Sequence, residues 1–167
     1  SVLAGRLEVA SSGNLAAGGV TINGATADLR WNSSTSMTRP LTFTAGTISG
    51  SGTIGVAVTV GSGQAISPGN SPGIQAYTSG LTWNPGGTYV WETNALTGTA
   101  GTNWDMIAVS GGALDLSGLS GTNQFILDLT TLAAGDVAGG LASPYDGGSY
   151  MFQIASYASL DLPVGYS

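Results

Sequence analysis

The chain has 167 residues, enough for one domain or two small ones, and its 42% hydrophobic content can supply a core. Only 7% of the residues are charged, and three arginines face nine acids for a net charge of −6, so we expect no nucleic-acid partner. Cysteine, histidine and lysine are absent, which excludes disulfides, thiolate metal sites and Schiff-base chemistry.

Short alternating runs of apolar and small residues occupy the first half of the chain. The first runs over 5–15, with Leu7 and Val9 on one face, and the next two run over 18–31 and 40–67. Period-2 alternation closed by turn residues predicts strands. An "NG" pair at 23–24 leaves a hairpin open as an alternative inside the second run.

The second half is richer in aromatic residues, and its runs are longer. They cover 81–94, 103–118, 123–132 and 147–160. No segment keeps a helical period, and the nearest one, 128–142, is interrupted by glycines. No apolar run approaches the ~20 residues that a membrane-spanning helix needs. The sequence therefore predicts an all-β protein that does not span a membrane.

The 28 glycines and the short runs between them favour a β-solenoid over a meander. Small residues suit the bends of such a fold, and inward-facing Val, Ile and Leu would stack from one coil to the next. We expect Gly/Thr/Ser-rich coils over 1–80 and an aromatic-rich continuation or capping region over 81–167. We also expect the chain, which opens with "SVLAGRLEV", to be a mature or excised piece of something longer.

A family resemblance rests on motifs spread over roughly 40–160. A "GSGT" coil precedes "PGNSPG" at Pro68–Gly73, a strand then leads to Glu92, and "WDMIAVSG" follows over Trp104–Gly111. Together these motifs resemble the autotransporter-associated β-strand repeat proteins. The resemblance implies a right-handed parallel β-helix, exported by a bacterium and located extracellularly or at the cell surface. Nothing in the chain resembles that family's outer-membrane barrel.

The segment "ISPGNSPG" over 66–73 is expected to form a rigid turn, since it holds two prolines and two glycines in eight residues. We interpret it as a structural bend, because proline fixes φ and glycine permits positive φ. A recognition loop is the alternative. The residues of this predicted structural turn are Pro68, Gly69, Asn70, Ser71, Pro72 and Gly73.

Acidic residues offer two further candidate sites, and for both we favour a structural interpretation. Glu92 and Asp105 are a candidate acid–base pair for glycosidic cleavage, but the second half has no base, so Asp105 is expected to bind backbone N–H groups in a turn. A bound calcium ion is the one cofactor hypothesis, and solvated turn residues are the interpretation that we favour for its candidate ligands. These ligands are widely spaced in the sequence, at Asp115, Asp128, Asp136, Asp146 and Asp161.

Five aromatic residues are candidates for an interface or for stacking on a glycan. Core or cap packing is the alternative that we favour for them. They are Tyr77, Trp83, Tyr89, Trp91 and Trp104.

The leading functional hypothesis is a non-enzymatic structural subunit of a bacterial extracellular fibre, sheath or matrix. Such a subunit would form a homo-oligomer or filament by pairing strand edges and by stacking solenoid ends. An adhesin or carbohydrate-binding module with a glycan or cell-surface partner is the alternative. A polysaccharide lyase or hydrolase is the third hypothesis, and the missing bases disfavour it.

Overall fold

The computed structural model describes residues 1–133, 136–140 and 147–166, and all their regular secondary structure is β. The strands are β1 (Gly5–Val9), β2 (Val20–Trp31), β3 (Leu41–Gly50), β4 (Thr53–Ile54), β5 (Val58–Val60), β6 (Gln64–Pro68), β7 (Ile74–Tyr77), β8 (Leu81–Trp83), β9 (Thr88–Thr93), β10 (Met106–Val109), β11 (Leu114–Asp115), β12 (Ile126–Ala133), β13 (Val137–Ala138), β14 (Ala155–Tyr157) and β15 (Leu160–Asp161). The prediction of an all-β protein is confirmed. Within these ranges there is no helix long and apolar enough to cross a membrane.

Three sheets share these strands. The main sheet has seven strands in the order β1-β2-β3-β6-β9-β12-β13, and two sheets of four strands have the orders β14-β10-β7-β4 and β15-β11-β8-β5. Both small sheets are parallel throughout. Among the described strands of the main sheet, only the pair β12–β13 is antiparallel.

Period-2 alternation explains which face of each strand is buried. In β2 the side chains of Ala27, Leu29 and Trp31 are buried, while the residues between them are partly accessible. Because the strands pair in parallel register, equivalent apolar positions stack on one another. One such ladder of stacked side chains joins Leu7, Leu29, Ile48, Ile66, Tyr89 and Leu127.

The predicted right-handed parallel β-helix of short glycine-rich coils is wrong. The main sheet is instead a mixed half-barrel of seven strands, and two small parallel sheets accompany it. Its strands are also unequal, since β2 has 12 residues and β3 has 10, whereas β13 has 2.

The difference arises because some glycines lie inside strands rather than at bends between coils. The "NG" pair forms no hairpin, since β2 continues through it and the register with β3 shifts on either side of Asn23. A Cβ atom on Gly24 would overlap the carbonyl group of Leu3, so this glycine permits a close approach of two backbones. The antiparallel pair has a separate cause, because the chain reverses near Asp136, whose φ is +58°.

The change in composition near residue 80 does not interrupt the sheets. Strands β5 and β8 pair across it in one sheet, and β6 and β9 pair across it in the main sheet. Buried residues from both sides of this position belong to one hydrophobic cluster. The described parts of 1–80 and 81–167 therefore share a core.

Candidate functional site

The turn Pro68–Gly73 is a tight crossing of the backbone. Gly69 has a φ of +80° and Ser71 a φ of +87°, and the Ser71–Pro72 peptide bond is cis. A Cβ atom on Gly69 would overlap the backbone of Gly73, and one on Gly73 would overlap Gly69. Only glycine fits at both positions, because the chain passes over itself there.

Hydrogen bonds attach this turn to the neighbouring strands. The Gly69 N–H donates to the carbonyl of Gly50, 2.8 Å away, at the end of β3. The Ser71 hydroxyl donates to Glu92 Oε2 in β9 over 2.6 Å. On the opposite side, the Asn32 amide donates to Asn70 Oδ1 over 3.0 Å.

Asp105 completes these attachments from beneath the turn. Its carboxyl group is 0% exposed, and Oδ1 accepts from the Gly73 N–H over 2.7 Å while Oδ2 accepts from the Glu92 N–H over 3.0 Å. Its backbone carbonyl accepts from the Trp91 indole N–H over 2.8 Å. The expectation that Asp105 binds backbone N–H groups is confirmed.

Burial raises the pKa of Asp105 to about 8, and the nearby Glu92 carboxylate adds to this effect, while the two backbone hydrogen bonds lower the pKa. Burial likewise raises the pKa of Tyr89, with a further contribution from Asp105. The two candidate catalytic acids therefore lie next to each other, but both carboxyl oxygens of Asp105 are engaged with the backbone. This geometry suits a structural attachment better than proton transfer to a substrate.

A groove of about 500 Å³ runs beside the turn. None of the described residues that line it is charged, and its walls are small or apolar residues together with Asn70. The lining residues are Ser51, Asn70, Pro72, Gly73, Ile74, Ala100, Gly101 and Thr102. The groove thus offers uncharged hydrogen-bonding groups.

The acids weighed as calcium ligands are dispersed. Asp115 accepts from the Ser117 N–H over 2.9 Å, and hydrogen bonds from Ser117 lower its pKa. Asp136 accepts from the Asn94 amide, and Asp146 lies outside the described residues. In the part of the chain that the structure describes, no three acidic side chains are close enough to hold a metal ion.

Three of the five candidate aromatic residues are buried. Tyr77 and Tyr89 are 0% exposed and Trp91 is 5% exposed, so their rings cannot stack on an external glycan in this conformation. The Tyr77 hydroxyl donates to Gln75 Oε1 over 2.7 Å, and the Trp91 ring lies edge-on to Phe152.

Trp83 and Trp104 are only partly buried. Trp83 stacks on Phe125 with ring centroids 4.5 Å apart, and its buried indole nitrogen has no hydrogen-bond partner. A cavity of about 490 Å³ opens beside this stack, lined mainly by apolar side chains that include Leu127. Trp104 donates its indole N–H to the carbonyl of Gln153 over 3.2 Å.

Gln75 is a buried polar residue that the sequence analysis did not single out. It is 0% exposed, and its amide donates to the carbonyl of Ser49 over 2.9 Å. Gln75 and Tyr77 share parity in β7, so the alternation itself places both side chains in the core. The signal in the sequence that could have identified Gln75 was a polar residue at an inward-facing position of an alternating strand.

The outer edge of β12 is the most distinctive surface of the described molecule. Leu127 pairs with Tyr89 and Leu129 with Trp91, so both leucines continue ladders of buried side chains. Yet Leu127 is 41% exposed and Leu129 is 64% exposed. Within the described residues β13 pairs only with Leu132 and Ala133, which leaves the rest of this edge without a strand partner.

Comparison with known proteins gave no relative: no family model matches the chain, and neither does any curated protein or solved structure.

Proposed function

We propose that the chain is a non-enzymatic structural subunit that associates through the open edge of β12, as part of a bacterial extracellular or cell-surface assembly. One observation carries the proposal: Leu127 and Leu129 lie over the buried rings of Tyr89 and Trp91 but are themselves uncovered. An added strand would extend the sheet and bury both leucines.

The open edge supports association because of its composition as well as its position. Exposed sheet edges pair with other strands unless charges, proline or bulges protect them. Over Ile126–Thr131 the only charged residue is Asp128, and Ile126, Leu127 and Leu129 are all exposed. Each large apolar side chain that becomes fully buried stabilises an interface by about 1.5–3 kcal/mol.

The chemistry of the chain supports a role without catalysis. The buried carboxyl of Asp105 is bonded to backbone N–H groups, and the sequence has no histidine, cysteine or lysine to act as base or nucleophile. The cell-surface location rests on the sequence resemblance over 40–160.

A substitution on the edge tests the proposal. Leu129→Asp places a charge where association would bury it, so we expect the wild-type chain to form oligomers and the variant to stay monomeric at the same concentration. Sedimentation velocity measures both. Val164→Asp is the matched control, because Val164 is fully exposed and lies outside the strands. Equal association of wild type and Leu129→Asp would refute the proposal.

A further inference from the structure

We propose that the strand added to β12 is β1 of a second copy, paired in parallel with Leu129 beside Leu7 and Asp128 opposite Arg6. This inference rests on the proposed association and names its partner and register. It follows from three features of the molecule, which are the two open edges, the distribution of charge and the alternation of side chains.

The two strands lie at opposite ends of the parallel part of the main sheet. β1 pairs with β2 on one side, and the described residues supply no strand on its other side. Leu7 pairs with Leu29, which is 0% exposed, yet Leu7 itself is 39% exposed. The ladder of stacked side chains is therefore exposed at both of its ends, Leu7 and Leu127. A strand with an inward-facing leucine could cover either end, and both edge strands contain such a leucine.

Charge is distributed unequally between these two ends. All three arginines lie in the first 40 residues, together with only two acids, Glu8 and Asp28. The other seven acids follow, and no base does. The β1 strand carries Arg6 and Glu8, and β12 carries a single charge, Asp128. A β1 edge can therefore offer a cation to Asp128, whereas the edge of a second β12 offers only another anion.

Side-chain alternation limits the register of a parallel pairing. Leucines must face the core on both strands, so a slip of one residue is excluded and slips of two remain. Pairing Leu7 with Leu127 places Glu8 opposite Asp128, which are like charges. Pairing Leu7 with Leu129 places Arg6 opposite Asp128 instead. Opposite charges stabilise a cross-strand pair, and like charges destabilise it.

The antiparallel end of the main sheet excludes a further slip. In the proposed register the five residues of β1 lie opposite Leu127–Thr131. β13 begins pairing at Leu132, and the Thr131 carbonyl already accepts from the Gly139 N–H over 3.2 Å. A slip of two more residues would make β1 collide with β13.

The Arg6 guanidinium group has further N–H donors for a contact with Asp128 of a second copy. Its Nε donates to Asp28 Oδ2 over 2.6 Å, and its side chain is 50% exposed. A guanidinium group carries five N–H donors, so its terminal amino groups are available to a second carboxylate. Arg6 would then bridge Asp28 of its own chain and Asp128 of the next.

The proposed contact joins two different surfaces of the same chain, so it is heterologous. Such contacts build open chains of subunits unless the rotation closes into a ring. The expected product is a linear series of copies that lengthens with concentration and shortens with added salt, because the charge pair is screened.

Charge exchange tests the register directly. Asp128→Arg and Arg6→Glu should each raise the dissociation constant about tenfold, which corresponds to about 1.4 kcal/mol. An equimolar mixture of the two variants should regain wild-type association by alternating the two variants along the chain, because each contact between unlike variants is either a wild-type or an exchanged pair, whereas contacts between copies of one variant stay like-charged. Sedimentation velocity measures each sample, and thermal unfolding checks that each variant folds.

Two control variants separate the possible causes. Asp161→Arg makes the same charge change on an exposed residue of β15, away from the contact, and should leave association unchanged. Glu8→Gln should also have little effect, because Thr130 lies opposite Glu8 in the proposed register. If Glu8→Gln tightens association, the register with Leu127 beside Leu7 is correct and ours is wrong.

The outcomes also separate this inference from the proposed function. If Leu129→Asp prevents association but Asp128→Arg behaves as Asp161→Arg and mixing restores nothing, the edge associates with something other than β1 and the inference fails alone. If the wild-type chain stays monomeric at every concentration, both fail.

Discussion

Asp105 shows why one residue type is required at a buried position. Two backbone N–H groups, from Gly73 in the turn and Glu92 in β9, donate to the Asp105 carboxyl group. A carboxyl group keeps acceptor lone pairs on both oxygens even when one of them carries the proton, whereas the nitrogen of an amide accepts no hydrogen bond. The Asp105 side chain thereby attaches the Pro68–Gly73 turn to β9.

Asp105→Asn should therefore destabilise the fold by about 1–3 kcal/mol near pH 5, since its amide NH₂ would face a backbone donor. The pKa of Asp105 is about 8 in the fold and 3.8 in the unfolded chain, so folding takes up a proton between these values. This contribution is complete below about pH 4 and is lost as pH rises through about 8.

The stability difference between wild type and Asp105→Asn should accordingly shrink as pH rises from 5 to 8. Urea denaturation at several pH values measures it, and Asp115→Asn, at a partly accessible acid of β11 that accepts from the Ser117 N–H, is the control. A difference that grows with pH would mean that Asp105 is ionised in the fold.

The turn Pro68–Gly73 functions as a connecting element between strands of two sheets. It follows β6 of the main sheet and precedes β7 of a small sheet. Its hydrogen bonds reach Gly50, Glu92 and Asp105. The crossing of Gly69 and Gly73 is what brings these partners within reach.

Two glycines with nearly equal φ angles isolate the effect of that crossing. Gly63 has a φ of +78° and open space around it, whereas Gly69 has a φ of +80° and no room for a Cβ atom. Gly63→Ala should lower the free energy of unfolding by about 1 kcal/mol, because alanine is strained at positive φ but meets no neighbouring atom there. Gly69→Ala should lower the free energy of unfolding by about 1–3 kcal/mol more than that, because the added Cβ atom would displace the backbone of Gly73.

Thermal or urea unfolding of both variants measures the two costs. Equal losses would show that backbone angle alone, and not the crossing, requires glycine at position 69.

Strands were largely predictable because alternation and burial are set locally. The inward positions Leu29 and Trp31 in β2 follow from parity alone. The contact between Asp105 and Gly73 was harder to predict from the sequence, since it joins residues 32 positions apart. The sequence indicated that Asp105 would bind backbone N–H groups, but it did not indicate which ones.

The predicted solenoid was wrong because sequence does not show where a glycine will lie in three dimensions. The "NG" pair left a hairpin turn at Gly24 open as an alternative, yet Gly24 lies within β2, close to the carbonyl group of Leu3. The reversal at Asp136 also had no signal as clear as "NG". Gly24 lets β2 continue as a long strand, and the reversal near Asp136 adds an antiparallel pair to the main sheet.

The whole molecule is asymmetric along the main sheet. One end of its parallel part carries β1 with Arg6 and an uncovered Leu7, and the other carries β12 with Asp128 and an uncovered Leu129. A subunit with two unlike and complementary ends is suited to serial assembly. Composition indicated low charge, but only the strand order showed which charged residues lie at the ends.

Hydrogen–deuterium exchange at low and high protein concentration tests the association most directly, because it reports which backbone amides an added strand protects. We predict that protection of the amides over Ile126–Thr131 and Gly5–Val9 rises with concentration, while that of the central strand β6 does not change. Oligomers that form without new protection over Ile126–Thr131 would contradict the central claim.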